Sequence, residues 1–138
     1  MLDLKALFDR YLAQAFDGNK EFEQPIQLEF SRFINLNHVT AEFLSLYIDE
    51  KLRKGQKLLS ENDMESALEK AMMLFKFIQD KDIFEGFYRK HLAKRLLLSK
   101  SDNEDLEKAM ISKLKVSMFL INSNYKLKWH DIAKQINR

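Results

Sequence analysis

Asp80-Lys81-Asp82-Ile83-Phe84-Glu85-Gly86-Phe87-Tyr88-Arg89-Lys90-His91-Leu92-Ala93-Lys94-Arg95-Leu96-Leu97 is the stretch that decides the fold. Ile83, Phe84, Phe87, Tyr88, Leu92, Leu96 and Leu97 recur at steps of three and four, so they share one side of a helix. Asp80-Lys81-Asp82 reads as the joint that opens it. Acidic residues suit a helix start, where they face orphan N–H groups and the positive end of the dipole.

The same period runs outward in both directions. Upstream, Met64, Leu68, Ala71, Met72, Phe75 and Ile78 form a helical face, and Ser60 with Asp63 three residues later has the form of a capping box. Met73, Leu74 and Phe77 fall off the main face of that helix. It is therefore expected to be apolar on two sides and buried between neighbours. Thr40 is the expected N-cap of a helix carrying Phe43, Leu44, Tyr47, Ile48 and Leu52, which Gly55 ends. Asp49–Arg53 and Glu50–Lys54 are acid-first i,i+4 pairs on it. Further upstream, Phe22, Ile26, Phe30, Phe33 and Ile34 mark a segment that contains Pro25. Two placements stay open there: a helix from Asn19 kinked at Pro25, or a later start with Pro25 in the first turn. Leu4, Leu7, Phe8, Tyr11, Leu12, Ala15 and Phe16 make the first helical face. Gly18 suits a left-handed C-cap and Asn19 an N-cap for the next helix. Downstream, 104–115 reads as a sixth helix with Leu106, Met110, Ile111 and Leu114 inward.

Composition agrees with an all-α class. The chain has 138 residues, enough to hide roughly two thirds of its extended surface. With only 3 Gly and 1 Pro, it lacks the turn residues an all-β fold needs. The absence of Cys excludes disulfides, thiolate metal sites and cysteine nucleophiles. Lys and Arg number 23 against 21 acids, too even a balance to imply nucleic acid or membrane by bulk charge. The start, Met1-Leu2-Asp3-Leu4-Lys5, has no signal-peptide pattern, and no run of about 20 apolar residues occurs. Cytoplasm and nucleus are the expected location.

Reactive constellations are missing from the pattern. His38, His91 and His130 form no i,i+3 or i,i+4 metal pair, and His91 reads as a partly exposed helix residue. Gly18, Gly55 and Gly86 are isolated, so no phosphate loop occurs, and no nucleophile elbow is present. No residue is assigned a catalytic, cofactor-binding or metal role. Between Glu85 and Asp102 lies a basic stretch, Arg89, Lys90, Lys94, Arg95 and Lys100, with no acid inside it. It reads as a solvated face. The alternative is a docking surface over 89–100 for an acidic protein or a nucleic acid.

Three segments together resemble the cullin family: Phe43-Leu44-Ser45-Leu46-Tyr47-Ile48-Asp49-Glu50-Lys51-Leu52-Arg53-Lys54-Gly55, the run from Leu74 through Leu97, and Met110-Ile111-Ser112-Lys113-Leu114-Lys115. Leu2-Asp3-Leu4-Lys5 and Phe33-Ile34-Asn35-Leu36-Asn37 are most similar to the family member that uses BTB-domain adaptors. The resemblance implies stacked antiparallel helices, with residues 1–79 as the end of a cullin repeat and 80–115 as the start of a helical bundle. It also implies a scaffold that performs no bond chemistry. Such a scaffold holds substrate adaptors at one end and a RING subunit at the other. The regions that carry those partners are not matched here, and no site residue is carried over. The expected partners are ligase subunits and, through apolar faces of 82–99, further copies of the chain. Residues 116–138 depart from the family pattern, and Trp129, Ile132 and Ile136 suggest a short amphipathic helix there.

Overall fold

The computed structural model describes residues 1–15, 17, 19–53, 60–98, 100–101 and 103–121. Among the described residues are six helices: α1 (Leu2–Ala15), α2 (Lys20–Asn35), α3 (Thr40–Leu52), α4 (Glu61–Phe77), α5 (Lys81–Leu97) and α6 (Glu104–Ile121). The described residues form no strand; Arg53 and Ser101 make one isolated antiparallel bridge. The architecture is all-α, as the helical period predicts.

Two of the predicted starts form as read. The Asn19 side chain accepts from the Glu21 amide at 3.0 Å and opens α2. Ser60 and Asp63 close a reciprocal capping box at the head of α4. Because α2 begins at Lys20, Pro25 lies in its second turn, inside the helix and past the first turn. Thr40 does not act as an N-cap. Val39 holds that position, and the Thr40 hydroxyl donates instead to the Ile34 carbonyl at 2.7 Å, joining α3 to the end of α2. Asp80 occupies the N-cap of α5 without a side-chain cap bond; its carboxylate faces His38 Nδ1 at 3.0 Å. Left-handed backbone before α2 occurs at Asp17, while Gly18, Gly55 and Lys54 lie outside the described residues.

Burial follows narrower stripes than the sequence suggests. α1 packs against α2 and α4, and it half-buries Leu4, Phe8 and Leu12, an i,i+4,i+8 line, together with Leu2 and Lys5, while Leu7 and Tyr11 are exposed. A helix touched on one side can cover only one such line. Phe22 and Phe33 on α2, Phe43 on α3, and Ile83 and Leu97 on α5 also have the inward period and are exposed. α4 is the opposite case. It contacts α1, α2, α3 and α6 and buries Leu68, Ala71 and Met72 together with Leu74, Phe75 and Ile78. The predicted two-sided burial of this helix is what the structure contains, although Met73 points outward.

One core cluster links α2 through α6, with Phe30–Phe77 edge-on at 5.3 Å and Phe75–Phe84 tilted at 4.8 Å. α3 and α5 form the most extensive helix pair, helped by the small buried residues Ala41 and Ser45 on α3. α6 runs to Ile121, and Met118 is fully buried, so the packed helix continues six residues beyond the 104–115 expected for it.

Candidate functional site: a buried charge cluster across three helices

α3, α5 and α6 each contribute a buried charged residue to one cluster, and α5 also buries Lys81 and Glu85. On α3 the cluster residue is Asp49, between Ser45, Ile48 and Leu52. On α5 it is Arg95, seven residues after Tyr88 and eleven after Phe84. On α6 it is Glu107, in line with Ile111, Leu114 and Met118. Helical period alone puts all three on faces that pack. Their side chains are at most 1% exposed.

Arg95 sits at the centre. Its Nε donates to Glu107 Oε1 at 2.6 Å and its Nη2 to Glu107 Oε2 at 2.9 Å, a bidentate pair. Its Nη1 donates to Asp49 Oδ1. The guanidinium also lies 5.9 Å from the Tyr88 ring centroid. The remaining lone pairs are served as well: Arg53 donates to Asp49 Oδ2, and the Ser101 hydroxyl donates to Glu107 Oε1 at 3.1 Å. His91 Nδ1 stands 3.7 Å from Asp49 Oδ2. Two carboxylates thus meet two guanidinium groups, and the cluster is balanced without a charge on His91. Burial, then Arg95, Lys94 and Arg53, push His91 below its ordinary value against the pull of Asp49. Burial by itself would lower Arg95, but the Glu107 hydrogen bond and charge outweigh it and hold Arg95 above its ordinary value. Burial raises the Tyr88 phenol, which stays protonated.

The chain around the cluster is tied to it. The Arg95 carbonyl accepts from the Lys100 amide at 2.8 Å, closing the end of α5. Asn103 then caps α6 by accepting from Asp105 and Leu106, and its amide donates to Glu61 on α4 at 2.9 Å. The α5–α6 connection is therefore held to α4 and α6 by side chains, and Ser101 bridges Arg53 just past the end of α3.

A second polar joint holds the α4–α5 elbow. Asn35 on α2 donates to the Phe77 carbonyl at 2.8 Å and accepts from the Gln79 amide at 2.9 Å. The buried Lys81 ammonium donates to the Phe75 carbonyl at 2.8 Å and to the Ile78 carbonyl, and it lies over the Phe75 ring at 4.6 Å. These groups satisfy carbonyls that the end of α4 leaves without helical partners. Burial lowers the Lys81 amine to about 8.

The sequence pattern puts Arg95 with Arg89, Lys90, Lys94 and Lys100 on a solvated basic face. The structure corrects this. Arg95 is buried, while the other four are exposed and Arg89 pairs with Glu85 at 3.8 Å. The predicted Asp49–Arg53 pair forms, but its acid is a core residue. Neither Glu107 nor Lys81 stands out in the sequence. The missed signal was a charge on an apolar stripe, opposite in sign to a charge on another helix. His91 is partly buried, as read, with its side chain 17% exposed.

Elsewhere a cavity of about 310 Å³ opens between α1, α3 and α4. Its wall is Met1, Leu2, Phe43, Leu44, Tyr47 and Leu74, with Asp3 at its edge. Burial and then Glu50 raise the Tyr47 phenol above its ordinary value.

The family described as the cullin alpha solenoid domain matches residues 1–125. This chain belongs to the cullin family. Among relatives, it is 50% identical to Cullin-3 of Dictyostelium discoideum over 115 residues, which is 83% of this chain and 15% of that protein. It is 45% identical to Cullin-3B of Arabidopsis thaliana over 115 residues, 83% of this chain and 16% of that protein. It is 43% identical to Cullin-3 of Caenorhabditis elegans over 115 residues, 83% of this chain and 15% of that protein. The cullin chain described here thus spans about a sixth of the length of these curated relatives. Both polar joints lie within the family-matched residues, and α6 ends inside them.

Proposed function

We propose that this cullin chain is a non-catalytic scaffold segment of a cullin–RING ubiquitin ligase. In that role it contributes to ubiquitin-dependent protein catabolism in the cytoplasm and nucleus. Residues 1–79 serve as the end of a helical stalk, 80–115 as the start of the bundle beyond it, and 116–138 as a divergent tail. The segment acts by stiffness, keeping the substrate-adaptor end and the RING end apart.

The observation that carries this reading is the Asp49–Arg95–Glu107 cluster. A spacer must resist bending where one pair of helices meets the next. Apolar contacts slide, because they have no preferred direction. A bidentate arginine shared between carboxylates on two other helices has one geometry. It opposes rotation of α5 against α3 and α6, and the Asn35 and Lys81 bonds oppose it at the elbow before α5.

A segment exchange tests the proposal. Residues 1–115 replace the matching segment of the Dictyostelium discoideum relative, and the chimera is assembled with its adaptor and RING subunits. The expected result is ubiquitin transfer and maximum particle dimension like those of the parent. A chimera that binds both subunits but has collapsed dimensions or lost transfer refutes the reading. The isolated chain is expected to hold neither BTB adaptors nor a RING subunit stably, and tight capture of either one in a pull-down contradicts that assignment.

A further inference from the structure

We propose that the chain's own segment 122–138 seats on the apolar cavity between α1, α3 and α4 and closes it. The proposal stands independently of the scaffold reading above. Phe43, Leu44, Tyr47 and Leu74 wall the cavity together with the start of α1. Its apolar surface continues past the mouth. Phe43 and Leu46 are exposed on α3, and Met73, next to Leu74, is exposed on α4. A contiguous apolar surface of this kind, rimmed by charges, marks a place where something docks.

The end of α6 selects the occupant. Asn103 bonds to Glu61 and Lys113 pairs with Glu69, so α4 and α6 run side by side in the same direction. Their last residues, Phe77 and Ile121, therefore come out at the same end of the bundle, the end where Leu74 lines the cavity. Only the width of α4, about 10 Å, separates its α6 side from its cavity side. At 100° per residue, exposed Met73 lies between Glu69, which faces α6, and Leu74. Residues 122–125 span about 13 Å when extended, enough to cross there. Beyond them Trp129, Ile132 and Ile136 recur at i, i+3 and i+7, an apolar line that matches the apolar wall. Charge agrees in sign. The segment carries Lys126, Lys128, Lys134 and Arg138 against Asp131. Around the cavity Asp3, Glu42 and Glu50 outnumber Lys51 and Lys70, and the Lys51 ammonium already lies over the Tyr47 ring at 5.4 Å. A short connection also keeps the segment at the cavity mouth at an effective concentration of the order of millimolar, which a second copy must match by mass action. Seated, the segment covers Phe43 and Tyr47 and denies this face to any other molecule.

The full chain is well suited to the test, because its one Trp is Trp129 and it has no Cys. Trp129 emission should lie to the blue of its position in urea and resist acrylamide quenching. A nitroxide attached at Asn137→Cys should broaden the amide resonances of Leu2, Asp3, Phe43, Tyr47 and Leu74. It should spare Glu61 and Asn103, at the other end of α4 and α6. Phe43→Glu, at an exposed position, should abolish the blue shift and the broadening while the rest of the amide spectrum stays in place. Ile132→Glu with Ile136→Glu removes the apolar line from the segment itself and should abolish both signals without touching the helices, whatever Phe43→Glu does to folding. The proposal is overturned if Trp129 in the native chain emits as it does in urea, if the label broadens a different face, or if the Ile132 and Ile136 pair changes neither signal. Broadening of an unlabelled chain by a labelled one in an equimolar mixture overturns it too, since the segment then sits on a second copy.

Discussion

Replacing Arg95 with Met keeps most of the side-chain volume and removes the guanidinium. Glu107, fully buried, then loses both arginine bonds and keeps only the Ser101 hydroxyl. Asp49 keeps Arg53, whose own side chain is half exposed. Breaking a buried ion pair by removing one partner costs about 3–5 kcal/mol, because the stranded charge stays buried. At a urea slope of about 2 kcal/mol per molar, that moves the unfolding midpoint down by about 2 M. The triple variant Asp49→Leu, Arg95→Met, Glu107→Leu strands nothing and should recover most of that loss, since apolar replacement of a buried cluster is often neutral or stabilising. Circular dichroism across a urea series measures both. A single variant that costs under about 1 kcal/mol refutes the reasoning, because the guanidinium would then not be compensating buried charge. A triple variant no better than the single refutes it too.

Four other outcomes follow from the same geometry. The folded-state value of His91 lies below its unfolded value of about 6.5, so the unfolded chain binds more protons just below that pH. Stability should fall as pH drops through that window, and His91→Gln should flatten the slope in denaturation series at pH values on either side of it. Lys81, lowered to about 8, should show a carbon-detected titration midpoint near there, with stability rising from that pH towards about 10.4, where the unfolded lysine titrates. Asn35→Ala should cost about 1–3 kcal/mol and speed exchange of the Gln79 amide, because the Phe77 carbonyl and the Gln79 N–H both lose a partner. Met118→Ala should cost about 2–5 kcal/mol in the same urea assay; a neutral result would mean that α6 does not pack past Lys115.

Helix type and order were legible in the sequence because periodicity is a local property of neighbouring residues. The Ser60–Asp63 box, the Asn19 cap and the two-sided character of α4 needed only spacing. The family was legible too, since runs such as Leu74 to Leu97 carry chemical identity as well as period. Burial was legible only as a candidate face. Leu7, Tyr11 and Phe33 have the right period and stay exposed, because which apolar side chains find a neighbour depends on how many helices surround each one. α1 has contacts on one side and α4 on several.

Charge was the least legible property. Arg95 shares its composition and its neighbourhood with Lys94, one residue away, and their environments are opposite. What separates them is Glu107 and Asp49, 12 and 46 positions distant in the chain. A guanidinium enters a core only when carboxylates from other elements arrive at the same point, and those arrivals are set by helix packing. Local spacing and residue identity suffice to make these segments amphipathic helices of a cullin. Helix packing selects which charges serve the interior and which remain on the surface, because the cost of burying a charge is cancelled only by partners brought from elsewhere in the fold.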